Sequence, residues 1–297
     1  MHDSTIAFIT PSHAPRWQRW LVFSPVARIV FFVAMLAASG FTLHAVVVML
    51  GWTAATASPL QHALATLGMQ LLPALVGYLL LVKLIERRPL RELSARGIPT
   101  FGLAGFVTGS VLFSLVVGVL WLLGSYHVTG SNPQVNWLPQ VLVAGVGAGI
   151  GEEIITRGVL FRIVEEGLGT WWALAVSALF FGAAHIANPG ATVWSSLAIA
   201  IEAGVLLALL YHVTRSLWAC IGLHAAWNIM QGTIYGIPVS GFRANGWLVS
   251  YRSGPDWLSG GSFGAEASVV ALLICSLLSL ALLRHALRRG SIVARRH

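Results

Sequence analysis

Charge is what this chain lacks. Only 9% of its 297 residues are Asp, Glu, Lys or Arg, against about a quarter in a soluble domain. With 57% hydrophobic residues and a mean hydropathy of +0.79, that scarcity excludes an ordinary water-soluble enzyme. It predicts an all-α, polytopic bundle of membrane-spanning helices. Cysteine is nearly absent too. Cys220 and Cys275 both fall in apolar runs, so they read as small buried hydrophobes, and a disulfide framework or cysteine metal site is excluded. No repeat of solenoid period is visible, and the two halves lack the internal symmetry of many transporters. The net charge of +8 is, in a membrane chain, information about topology; it does not call for a nucleic-acid partner.

Eight apolar runs are predicted to span, at about 26–50, 60–82, 101–123, 138–161, 171–186, 192–212, 217–234 and 265–287. Residues 1–25 form an N-terminal cytoplasmic segment. They do not read as a cleaved signal peptide, because the basic stretch is long and the run after it is of spanning length. Residues 26–287 form the membrane domain, with a candidate catalytic core at 138–234, and 288–297 form a basic cytoplasmic tail. Eight spans put both termini on one side. With that side cytoplasmic, only Arg243 and Arg252 fall outside; every other Lys or Arg sits in a cytoplasmic loop, tail or helix end. The expected location is a cell inner (plasma) membrane, multi-pass, of bacterial type.

Polar groups inside the spans are few: Glu152, Glu153, Arg157, His185, Glu202, His224, Asn228 and an isolated His44. An ionised carboxylate in hydrocarbon costs several kcal/mol unless it is paired or faces a wet cavity. Glu153 and Arg157 are four apart with the glutamate first, the favourable order for a helical ion pair. Glu152 lies about 100° round the helix and lacks that partner. A carboxylate without a fixed counter-charge suits proton transfer. The expected division is Glu152 for chemistry and Glu153–Arg157 for architecture, although two glutamates in a wet vestibule would also serve as a helix anchor. His185 closes the fifth run; a lone histidine in an apolar helix more often bonds to a neighbouring helix than catalyses. His224 and Asn228 share one helix face and serve either as interhelical glue or as donors to a developing oxyanion. Glu202 is expected to pair with a histidine or arginine of the cluster, or to line the same cavity. His44 is read as structural.

Three motifs then stand in order, each on its own run: Glu152-Glu153-x-x-x-Arg157-Gly158, Phe181-x-x-x-His185 and His224-x-x-x-Asn228. Over about 138–230 they resemble the CAAX protease and bacteriocin-processing (Abi) family, related to the type II CAAX prenyl endopeptidase. The resemblance implies an intramembrane endopeptidase. In that case Glu152 and His185 activate water, His224 and Asn228 hold the oxyanion, and Glu153 and Arg157 support the site. The family is described both as metalloproteases and as glutamate-dependent proteases. Glu152, His185 and His224 offer three ligands for an open divalent metal site such as zinc. A metal-free site with Glu152 as general base gives Asn228 a natural role, and is the preferred reading. The implied partners are membrane lipid and a membrane-bound or lipidated protein or peptide. No prenyl groove is legible, and the substrate is open: a bacteriocin precursor, a membrane-protein tail or another peptide. The competing classes are a non-catalytic scaffold or immunity protein and a proton-coupled transporter. Against the transporter, the sequence puts the glutamates towards the cytoplasmic end of their span.

Overall fold

The computed structural model describes residues 7–294. Arg295 and Arg296 of the expected basic tail, and the first six residues, lie outside the described residues. Eight apolar helices occupy the eight predicted runs: α1 (Pro25–Met49), α2 (Pro59–Ile85), α3 (Ala95–Leu122), α4 (Trp137–Leu168), α5 (Thr170–Ala184), α6 (Val193–Thr214), α7 (217–234) and α8 (Val269–Arg288). Six of them (α1–α4, α6 and α8) are long and apolar enough to cross a membrane, and α5 is shorter. Local chemistry sets the starts. Ser24-Pro25 and Ser58-Pro59 each place a side-chain oxygen on the first-turn amides, with proline where no donor is needed.

Two features depart from the sequence reading. The chain is not wholly helical: β1 (Tyr126–Ser131) pairs antiparallel with β2 (Leu248–Arg252), with a bulge between Val128 and Gly130. This ribbon joins the α3–α4 and α7–α8 connections. Each strand is a short alternating run whose partner lies more than a hundred residues away, so neither carries a hairpin signal. In addition, α4 has 32 residues and continues to Leu168. Glu152 and Glu153 therefore sit at its midpoint, not towards its cytoplasmic end, because Arg162, Glu165 and Glu166 extend the helix instead of ending it.

The two ends of the bundle are easily told apart. The ribbon end gathers the α3–α4, α5–α6 and α7–α8 connections; Asn188, for example, donates to the Ser240 carbonyl at 3.0 Å. At the other end buried ion pairs replace hydrocarbon. Arg28 bonds Glu86 at 2.8 Å and Glu166 at 2.7 Å, and Arg162 bonds the same two carboxylates at 2.9 and 3.0 Å. Arg88 joins Glu86 to Glu92, which also accepts from Tyr78. Nearby, Glu165 gathers Thr170, His212 and Arg215. The network pins the start of α1 to the α2–α3 connection and the end of α4.

Helix α4 passes between α2 and α7, and glycine permits it. A Cβ on Gly151 would lie 2.4 Å from the Gln70 carbonyl oxygen of α2, and one on Gly149 would lie 3.1–3.4 Å from the backbone and Cβ of Ala225 on α7. The glycine-rich run is thus a two-sided packing stripe, the close approach small residues allow between membrane helices.

Two predictions follow from this packing. Gly151→Ala forces α2 and α4 apart and lowers stability in detergent by about 1–3 kcal/mol; a thermal-unfolding midpoint unchanged from the parent contradicts the close contact. The second concerns acid. Burial would raise the Glu86 and Glu92 carboxyls, but the surrounding arginines, Arg162, Arg88 and Arg28 for Glu86 and chiefly Arg88 for Glu92, hold both below the ordinary glutamate value. A carboxyl whose pKa is depressed on folding stabilises the fold fully above its unfolded value, and that stability is lost as pH falls. The unfolding temperature is therefore expected to decline once pH drops below about 4.3, and a flat profile through that range contradicts the network's role.

Candidate active site

The polar side chains of the apolar helices converge. Glu152 of α4, His185 at the end of α5, and His224 and Asn228 of α7 line one cavity of about 430 Å³ between the helices. His44 lies on the exposed side of α1 and does not line it.

At the base of this arrangement is a buried ion pair. Arg157 bonds Glu153 at 2.8 Å, and both side chains are fully buried. The guanidinium also donates to Thr156 Oγ1 at 2.8 Å and to the carbonyls of Ala203 and Gly204 at 3.1 Å each. Those carbonyls lie in a widened, i→i+5 stretch of α6. The guanidinium carbon also stands 4.7 Å over the Phe181 ring of α5, within reach of the ring's negative face. On the far side of the pair, the same Glu153 oxygen that meets Arg157 accepts from His224 Nδ1 at 2.9 Å. One ion pair thus links α4, α5, α6 and α7. The sequence suggested the Glu153–Arg157 contact from spacing but not the His224 contact, which joins residues 71 apart and has no local signature.

The cavity-facing side chains lie above it. His185 Nδ1 bonds the Phe181 carbonyl at 2.7 Å. A carbonyl can only accept, so the proton is on Nδ1 and Nε2 keeps its lone pair. That Nε2 stands 4.0 Å from the Glu152 carboxylate, whose side chain is 36% exposed. The gap is too long for a direct hydrogen bond and short enough for one water to touch both. Asn228 donates one amide hydrogen to the Ala144 carbonyl at 2.8 Å, in a widened turn of α4, and keeps the second.

Glu202 is buried and lines the cavity. Among the described residues it forms no ion pair with a histidine or arginine, so of its two expected placements the structure shows the cavity wall. The sequence reading missed Glu266, which precedes α8, also lines the cavity, and accepts the Ser240 amide at 2.6 Å. Burial pushes its carboxyl above the usual range, against the opposing pull of hydrogen bonds from Ser240 and Gln231. Its only sequence signal was an acid at the edge of an apolar run, where acids are common.

The three candidate metal donors, Glu152, His185 and His224, all line the cavity. Both imidazoles have Nδ1 engaged, which is how ligating histidines are oriented. Among the described residues, however, no three His, Cys, Asp or Glu side chains converge closely enough to hold an ion.

Residues 134–230 match the family model described as Type II CAAX prenyl endopeptidase Rce1-like. The match supports the CAAX-protease family for this segment. It covers about a third of the chain and holds every residue of the three motifs. Comparison with curated proteins and with solved structures gave no match. The chain thus combines the long apolar helices of a multi-pass membrane protein with an Rce1-like segment that runs from the start of α4 into α7.

The ion pair yields a test. Arg157→Ala leaves Glu153 charged, buried and unpaired, and strips three helices of a shared partner. A loss of about 3–5 kcal/mol is expected, read as a lower unfolding midpoint in detergent and reduced accumulation in the membrane. Full stability with lost activity contradicts the architectural role.

Proposed function

We propose that the protein is an intramembrane endopeptidase that hydrolyses a peptide bond in a membrane-associated protein or peptide by direct attack of water. The observation that carries this reading is the convergence of Glu152, His185, His224 and Asn228 on one cavity. The match of residues 134–230 to the Rce1-like family model supports it.

The chemistry runs from the geometry. A water between Glu152 and His185 points one O–H at the carboxylate and the other at Nε2, which leaves an oxygen lone pair for the scissile carbonyl. As the C–O bond forms, Glu152 takes the proton. The carbonyl oxygen gains charge beside the second amide hydrogen of Asn228 and Nε2 of His224. His224 already donates Nδ1–H to Glu153, so it donates from Nε2 only as the imidazolium; the Glu153 carboxylate supports that charge. When the tetrahedral centre collapses, the C–N bond breaks and Glu152 returns its proton to the leaving nitrogen. Fixed donors aimed at developing charge in a site of low polarity supply most of the acceleration in such schemes.

Glu152 also lines a second, largely apolar crevice of about 360 Å³ between α1, α2 and α4, bordered by Leu36, Met69 and Pro73. It suits an apolar part of a membrane-bound substrate, lipidated or not. The finer topology belongs to the same reading: eight crossings, both termini in the cytoplasm, in a bacterial-type inner membrane.

Glu152→Gln keeps the shape and removes the base. It is expected to abolish cleavage, a loss of about 10²–10⁴-fold or more, with unchanged unfolding midpoint and membrane yield. Mass-spectrometric comparison of new peptide termini in membranes holding the parent or the variant reads it out. Termini produced equally by both rule out Glu152 as the base.

A further inference from the structure

The cavity does not belong equally to the two ends of the bundle. Its walls include Asn188, Val239, Ser240, Phe242 and Glu266, all from connections at the ribbon end, and no residue of the ion-pair end. The α7–α8 connection is fixed as a rim there. The Ser240 amide is held by Glu266 and its carbonyl by Asn188, and the Gly241 amide donates to the Phe263 carbonyl at 2.7 Å. Phe242, at the mouth, is 58% exposed.

The same two ends differ sharply in basic charge. Among the described residues, Arg243 and Arg252 are the lysines or arginines at the ribbon end. Arg157 is at mid-bundle, and all the others lie at or beside the ion-pair end. Basic residues in short connections are retained on the cytoplasmic side. The ion-pair end is therefore the cytoplasmic one, and the cavity mouth faces away from it.

We infer that the site is loaded from the non-cytoplasmic face of the membrane. Its substrate is a polypeptide segment that has already crossed, or that is anchored with its cleavable stretch in the outer half of the bilayer. This rests on the protease reading for the word substrate, but not for the direction of access. It excludes the C-terminus of a lipidated cytoplasmic protein as the group that enters. It also places the reaction after a translocation step, since only export or membrane insertion delivers a peptide bond to that face.

Accessibility labelling tests the direction without requiring activity. Cys220 and Cys275 are fully buried, so the parent chain serves as the background. Three variants of the full chain are made: Phe242→Cys at the mouth, Ala184→Cys on the cavity wall, and Ser94→Cys in the α2–α3 connection at the other end. A membrane-impermeant maleimide is applied to intact cells, and to the same cells after permeabilisation. Phe242→Cys and Ala184→Cys are expected to react in intact cells as fully as after permeabilisation, and Ser94→Cys only after it. Labelling of Ser94→Cys in intact cells with loss of labelling at Phe242→Cys reverses the topology and overturns the inference. Failure of Ala184→Cys to react in intact cells, whether or not permeabilisation exposes it, overturns loading through that mouth. Either failure leaves the cleavage comparison with Glu152→Gln standing on its own.

Discussion

One buried ion pair joins the helices that surround the polar cavity of this protein. Glu153 and Arg157 are adjacent turns of α4, and both are fully excluded from solvent. A buried pair seldom adds net stability over a hydrophobic one, but removing either partner is costly. Here the pair is used for connection. Arg157 donates to two carbonyls of α6 and lays its flat face over Phe181 of α5, while Glu153 reaches His224 of α7. The three helices that carry the candidate catalytic groups, α4, α5 and α7, are therefore tied together and to α6 at one point.

That tie explains why Glu152 and Glu153, neighbours in sequence, have different surroundings. The rotation of one residue along α4 turns Glu153 into the junction of helices and Glu152 into the cavity, half exposed and facing His185. Close packing on either side of α4 allows it: Gly151 fits against the backbone of α2, and Gly149 against Ala225 on α7. Stretches of widened helix at 141–147, 154–161, 200–205 and 229–234 flank the same residues. Such stretches are frequent at functional sites because they free carbonyls and redirect side chains. In this chain, freed carbonyls of 144, 203 and 204 receive Asn228 and Arg157.

Much of this was legible before any coordinates. Hydropathy located eight helices, because in lipid every backbone group must be satisfied within the segment. Spacing gave the Glu153–Arg157 pair, and scarcity of charge made each remaining polar residue conspicuous. What escaped the sequence was non-local. The β1–β2 ribbon joins connections that are distant in the chain. The Glu153–His224 bond depends on how α4 meets α7. Glu266 lies where an apolar run begins, a position at which acids usually face water. The cavity's position at the ribbon end escaped for the same reason: it depends on which halves of four helices diverge, and no single helix records that.

In the proposed reaction Glu152 and His185 act on one water as a unit. The most direct measurement is a double-mutant cycle on cleavage rate with Glu152→Gln, His185→Ala and the pair together. Groups that share one step are strongly non-additive, so the double variant is expected to be no slower than the slower single one. Losses that multiply, as if the two residues served separate steps, would contradict the shared site.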